Sequence, residues 1–173
     1  GKVLGGSSSV NAMIYARGHQ SDYDHWAEQG NPGWAWKDVL PYFKRAEHNE
    51  RGGDDLHGTG GPLNVKDLTT PNRFGPVFVE AGKQAGYVAN SDFNGPEQEG
   101  VGMYQVTHKN GERCSAAKAY LTPHLRRPNL KALPEGQRQL ISLVLWKLLA
   151  SSTHAIAGAL ETMAKRPQGV LNE

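Results

Sequence analysis

The run Gly5-Gly6-Ser7-Ser8-Ser9-Val10-Asn11 constrains this chain more than any other stretch. Two adjacent glycines let the backbone turn tightly and approach a ligand with no Cβ in the way. Successive backbone N–H groups in such a turn, helped by serine hydroxyls, form a cradle for a pyrophosphate. A helix starting just after the turn adds its N-terminal dipole to the attraction for anions. Taken alone, glycine–serine runs are more often ordinary turns or linkers, so the flanks decide. A generic phosphate-binding module built on Gly5–Ser9 explains this one run and none of the later motifs. Most of the 21 glycines fall before residue 112, so the first two thirds of the chain is expected to be rich in turns.

A chain of 173 residues is long enough for one domain with a real core. Its net charge of +2, with Lys and Arg scattered, is too small to argue for nucleic acid or an anionic membrane surface as partner. The single cysteine, Cys114, rules out an internal disulfide framework and suits a reducing compartment. The spacing predicts a helix from Ser21 or Asp22 to Gln29, with Gly30 at its C-terminal end. A second helix is expected over Trp34–His48, starting near Asp38 because Pro41 is tolerated only near the first turn. Asn49–Thr59 reads as an exposed polar loop and Gly61–Val65 as a short strand. A third helical pattern spans Asn72–Gly86, with Phe74, Val77, Phe78 and Ala81 expected inward. Asp92–Gly102 reads as a long loop, Val101–His108 as a strand, Asn110-Gly111 as a hairpin turn, and Ser115–Arg127 as a further helix capped by Ser115. Gln137–Lys165 is one long Leu- and Ala-rich helical pattern. Lys147, Ser151-Ser152-Thr153 and His154 interrupt it below the roughly 20 apolar residues of a membrane span. It is therefore expected to pack on a core or a partner, with membrane-surface contact as the alternative.

The flanks of the glycine–serine turn are specific. Gly1-Lys2, Leu4-Gly5-Gly6-Ser7-Ser8, Val10-Asn11, Tyr15, Gly18 and Asp24 resemble the first signature of the glucose–methanol–choline (GMC) oxidoreductases, in particular choline or alcohol dehydrogenase-like members. Asp22-Tyr23-Asp24-x-Trp26 and Gly33-Trp34-x-Trp36-x-Asp38-Val39-Leu40-Pro41-Tyr42-Phe43 are similar to the family's next helices. His57-Gly58-x-x-Gly61-Pro62-Leu63-x-Val65, Asp92-Phe93-Asn94-Gly95, Glu99-Gly100-Val101-Gly102, Gly111-x-Arg113-x-Ser115-x-x-x-Ala119-Tyr120-Leu121 and Arg127-Pro128-Asn129-Leu130 continue the resemblance, which covers about residues 1–131. It implies an α/β to α+β fold: part of an FAD-binding domain, with its FAD-contact segment at 1–18, then substrate-side helices and loops. Family members oxidise an alcohol by hydride transfer to flavin N5. By carry-over, Gly5, Gly6, Ser7 and Ser8 lie along the FAD pyrophosphate and ribitol, and Asn11, Ala12, Met13 and Ile14 pass close to the isoalloxazine ring. Core packing is an equally good reading of Met13 and Ile14, and the two roles are compatible.

Two parts of the family pattern are missing. The dinucleotide fingerprint Gly-x-Gly-x-x-Gly is absent, and the chain opens at Gly1 inside a motif, so an internal fragment with upstream sequence is expected. No histidine stands in the context of the family's catalytic base: His25, His48, His57, His108, His124 and His154 read as surface or structural residues, and His19 follows the flavin-side segment without matching it. Residues 132–173 carry no resemblance and form an unassigned helical tail. The expectation is thus a fragment of an FAD-dependent alcohol oxidoreductase, inactive alone and marginally stable, with a small-molecule alcohol as substrate, no metal, a cytoplasmic location, and an undetermined oligomeric state. The alternative is a non-catalytic remnant whose 137–165 helix mediates self-association or membrane-surface contact.

Overall fold

A computed structural model describes residues 1–128 and Leu130. The 132–173 tail and its 137–165 helix lie outside the described residues. Among the described residues, three α-helices and four short strands make a mixed α/β assembly: α1 (Gln20–Glu28), α2 (Trp36–Ala46), β1 (Glu47–Asn49), β2 (Leu63–Val65), α3 (Phe74–Gln84), β3 (His108–Lys109) and β4 (Glu112–Arg113).

α1 starts earlier than expected because His19, not Ser21 or Asp22, is its cap. The His19 ring accepts from Ser21 N–H at 3.2 Å, and the Asp22 carboxylate accepts from His19 N–H at 2.9 Å, a reciprocal capping box. Gly30, at φ +91°, follows its C-terminal end as the sequence predicts. α2 begins at Trp36, carries Pro41 inside it, and stops at Ala46 rather than His48. Glu47 and His48 leave the helix because β1 pairs parallel with β2, in the register Glu47↔Leu63, His48↔Asn64 and Asn49↔Val65. Tyr23 sits where the two helices meet, with ring centroids 5.5 Å from Trp26, 5.5 Å from Trp36 and 5.7 Å from Phe43. Asp24 accepts from the Trp36 N–H at 2.9 Å, tying the start of α2 to α1.

α3 forms as the pattern predicts, but its expected inward face is wrong. Phe74, Val77, Phe78 and Ala81 are exposed. The side of the helix that approaches the chain is the glycine side. A Cβ on Gly75 would press on Met103, and one on Gly82 would press on Val101. Small residues permit that close approach, and the apolar side chains beside them stay uncovered.

The expected strand over Val101–His108 is broken into single pairings. Val101 pairs with Ala89, and Val106 is bridged by Ile14 on one side and Lys66 on the other. Lys66 and Val106 exchange both backbone hydrogen bonds, at 3.0 and 2.8 Å, so the order Ile14, Val106, Lys66 runs on into β2 and β1. β3 and β4 form the predicted hairpin, with Asn110 (φ +50°) and Gly111 (φ +79°) as its two turn residues. The helix expected over Ser115–Arg127 is not a regular one. A π-helical turn, Ala117–Leu121, passes into a 3₁₀ turn, Thr122–His124, where Pro123 has no N–H to continue a ladder. Ser115 does cap it, its hydroxyl accepting from Lys118 N–H at 3.2 Å.

Candidate functional site

The glycine–serine turn is built by its own side chains. Gly5 (φ +87°) and Gly6 (φ +57°) take left-handed backbone, and a Cβ on Gly5 would collide with Ser9 Oγ and press on Ala117. A 3₁₀ turn, Gly6–Ser9, follows. The Ser8 hydroxyl donates to Gly5 O and accepts from Ala116 N–H at 2.9 Å, while the Ser9 hydroxyl donates to Leu4 O at 2.7 Å. Ser8 holds the loop against the π-helical turn and Ser9 closes the loop on itself, so both hydroxyl hydrogens are already donated within the chain. Gly6 is buried and Ser7 exposed.

From Val10 the chain straightens into an open strip. Asn11 Oδ1 accepts from Met13 N–H at 3.1 Å and from the Arg113 guanidinium at 2.7 Å, and Arg113 also donates to Ser8 O at 3.1 Å. Met13, at φ +64°, is the non-glycine residue here with left-handed backbone. Its carbonyl accepts from Thr107 N–H at 2.8 Å. Ile14 pairs antiparallel with Val106 through flanking bonds from Tyr15 N–H and Thr107 N–H, so its own N–H and C=O point away from that partner. The N–H groups of Ala12 and Ile14 find no acceptor among the described residues. Val10 is 64% and Ile14 52% exposed, and Asn11 and Ala12 are exposed beside them. The structure therefore leaves Ser7, Val10, Asn11, Ala12 and Ile14 exposed, and uses Gly5, Gly6, Ser8 and Met13 to shape the backbone between them. Arg113 belongs to this site as well. It was readable only as part of the Gly111-x-Arg113-x-Ser115 motif, because nothing local marks a hairpin arginine that folds back on a turn about a hundred residues earlier.

Behind the strip lies a buried polar network. Arg17 Nη2 donates to Glu47 Oε2 at 2.6 Å with both side chains buried, and Arg17 Nη1 donates to Leu56 O at 2.7 Å. Glu47 Oε2 also accepts from Gly58 N–H at 3.0 Å. His57 Nδ1 lies 3.1 Å from Glu47 Oε1, and its Nε2 lies 2.9 Å from Asp92 Oδ2. Asn49 and Gln105 pair amide to amide at 3.0 and 3.1 Å, and Asn49 Nδ2 also donates to Glu47 Oε1 at 3.0 Å. Burial pushes the Glu47 carboxyl up, but hydrogen bonds from His57 and Gly58 and the charge of Arg17 outweigh it and hold it below the usual carboxylate range. Hydrogen bonding to Glu47, with the charges of Glu47 and Asp92, raises His57 above an ordinary imidazole despite burial. Burial raises the Tyr15 phenol, and Arg17 opposes this. The sequence motif gives no hint of this network beyond spacing. The 49–59 stretch, expected to be exposed, is buried at Asn49, His57 and Gly58.

The remaining histidines take other roles. His19 caps α1, His25 lies 3.7 Å from Glu28, and His48 accepts from Gly60 N–H at 2.9 Å. No group of metal-binding side chains occurs among the described residues, and no described helix is long and apolar enough to cross a membrane.

The family model described as GMC oxidoreductase matches residues 1–163, past residue 131 where the motif resemblance ends. The chain is 51% identical over 141 residues to the oxygen-dependent choline dehydrogenase of Brucella ovis, covering 82% of this chain and 26% of that protein. Its fold matches pyridoxine 4-oxidase from Mesorbium loti at 35% identity and a TM-score of 0.66, over 71% of this chain and 25% of that one. An FAD-dependent oxidoreductase from Chaetomium thermophilum matches at 27% identity and a TM-score of 0.67, over 74% and 24%. The chain spans about a quarter of the length of these proteins. With a family model matched over most of its length, it belongs to the GMC oxidoreductase family.

Proposed function

We propose that this chain is the flavin-facing segment of an FAD-dependent oxidoreductase that acts on the CH–OH group of a small alcohol. The observation that carries this reading is the open strip Val10–Ile14, flanked by Arg113, in a chain of this family. The strip suits such a cofactor. It presents unpartnered N–H donors at Ala12 and Ile14, exposed apolar surface at Val10 and Ile14, and a tight turn at Gly5–Gly6. In this assignment Gly5, Gly6, Ser7 and Ser8 line the pyrophosphate side, with Gly6 and Ser8 contributing shape rather than free groups. Asn11, Ala12, Met13 and Ile14 face the ring. Asn11 keeps its amide oxygen on Arg113 and Met13, so its NH₂ is the donating end. The Ile14 N–H dipole, fixed by the pairing to Val106, and the Ala12 N–H before it favour a neighbour that carries negative charge. Bound FAD would supply the hydride acceptor.

A general base must take the alcohol proton as hydride leaves. His57 is locked between two carboxylates and His19 is a helix cap, so neither supplies it. The isolated 173-residue chain is accordingly proposed to be inactive. The complete protein containing it is proposed to carry FAD and to oxidise a primary alcohol. Purification of that protein with a flavin absorbance spectrum, and choline or pyridoxine oxidation in the assay, supports the reading. A colourless protein that neither takes up FAD nor oxidises any alcohol overturns it.

A further inference from the structure

The buried network behind the strip closes on itself. Arg17 bonds to Glu47 at 2.6 Å, and Glu47 to His57 at 3.1 Å. His57 bonds to Asp92 at 2.9 Å, and Asp92 Oδ1 accepts from Asn94 N–H at 2.9 Å. The Asn94 side chain returns to the starting segment, its Oδ1 accepting from Arg17 N–H at 2.7 Å and its Nδ2 donating to Tyr15 O at 3.0 Å. The ring gathers four segments that are far apart in sequence, and every buried polar side-chain atom among the described residues has a partner.

We propose that this ring is the device that positions the Tyr15–Arg17 segment next to the strip, and that His57, held as an imidazolium between Glu47 and Asp92, is its positioning residue. The geometry suits the doubly protonated ring. Each nitrogen faces a carboxylate oxygen, a carboxylate only accepts, and only the imidazolium donates from both nitrogens. The Asn49 amide, 3.2 Å from Nδ1, does not compete, because its two hydrogens are taken by Glu47 and Gln105. The other charged groups facing His57 are consistent with the positive form. Asp54 Oδ1 accepts from the His57 backbone N–H at 2.6 Å, and the other cation in the ring, Arg17, lies on the far side of Glu47. A neutral His57 drops one of its two carboxylates. If Asp92 is released, the turn that presents Asn94 loses its anchor, and with it the hold on Tyr15 and Arg17.

The chemical consequence for the flavin face rests on the function proposed above, but the positioning role does not. Both are separable by working on the FAD-free 173-residue chain. Imidazole nitrogen shifts of His57 are followed by NMR against pH, together with amide hydrogen-exchange protection factors for Tyr15, Arg17 and Thr107, corrected for the intrinsic pH dependence of exchange. The expected result is a His57 that remains protonated at both nitrogens through neutral pH. The protection factor of Arg17 falls about tenfold or more as the ring deprotonates, as befits loss of a charge-assisted bond. In His57→Gln that pH dependence vanishes and protection is low throughout. Asp92→Asn, altered at a half-exposed position, keeps the acceptor for Asn94 and moves the His57 titration to lower pH. A His57 that is a single-donor tautomer at neutral pH overturns the proposal even if the variants do not fold. Protection at Tyr15 and Arg17 that is the same in both variants as in the unaltered chain overturns it equally. Failure to bind FAD with the titration intact counts against the function alone.

Discussion

At the scale of the residue, glycines and one carboxylate decide what the chain tolerates. Gly58 sits against the C-terminal turn of α2, where a Cβ would overlap the Lys44 carbonyl oxygen, and Gly61 meets the Ala46–Glu47 backbone in the same way. Gly60, at φ +84°, has open space around it. Gly58→Ala is therefore expected to cost about 3 kcal/mol or more by forcing backbone apart. Gly60→Ala is expected to cost only about 1 kcal/mol of backbone strain. Denaturant midpoints of the two variants check the contrast. Glu47→Gln leaves the Arg17 guanidinium buried without its anion and is expected to cost about 3–5 kcal/mol, read the same way. The pH dependence follows from two opposite signs. Glu47 is lowered in the fold, so its contribution is present above the ordinary carboxylate value and is lost as pH falls through its folded value. His57 is raised, so its contribution is full below the ordinary imidazole value and is lost as pH rises through its folded value. Thermal stability should thus be greatest in the mildly acidic window between them. A midpoint that rises steadily into alkaline pH would contradict that assignment. The two glycines were legible as part of His57-Gly58-x-x-Gly61-Pro62, but the reason for them was not. Close approach to α2 is a tertiary fact with no local sign.

At the scale of the element, short-range chemistry read well and long-range packing did not. The Asn110-Gly111 turn, the Gly30 helix end and the Leu63–Val65 strand came straight from backbone preference. The existence of α3 also followed from its period, while its buried side did not. Periodicity identifies an apolar stripe and says nothing about whether the chain at hand covers it. α3 turns Gly75 and Gly82 to the 101–103 segment and leaves Phe74, Val77 and Phe78 at 62%, 63% and 71% exposure. Phe78→Ser should accordingly change the stability of this chain by no more than about 0.5 kcal/mol, as at other exposed sites, and should reduce its aggregation. Gly82→Val should lower the melting temperature by driving α3 off Val101. If Phe78→Ser instead unfolds the chain, the placement of α3 is wrong. The end of α2 and the start of β1 were misread for a related reason, since Glu47 and His48 suit a helix locally and are drawn into parallel pairing by β2.

At the scale of the whole molecule, the interior is as polar as it is apolar. Among the described residues Val65, Val101, Val106 and Ala119 are buried alongside Arg17, Glu47, Asn49, His57 and Gln105. Such an interior draws its order from satisfied hydrogen bonds more than from apolar area, and the loss of one member leaves the others unpaired. Family membership and the turn at Gly5–Ser9 were visible from the motifs. The strip's open face, its pairing to Val106 and the arginine beside it needed the fold, because they depend on contacts across about a hundred residues. The central claim is that Val10–Ile14 is the flavin face, and an isotope-labelled sample of the 173-residue chain titrated with FAD to about 1 mM, the range of a weak half-site, tests it most directly. The account predicts amide shift changes concentrated at Ser7, Asn11, Ala12 and Ile14 and at Arg113, with the Gly30 and Gly60 turns unmoved. Changes centred elsewhere, or a spectrum that FAD leaves untouched across the strip, would contradict it.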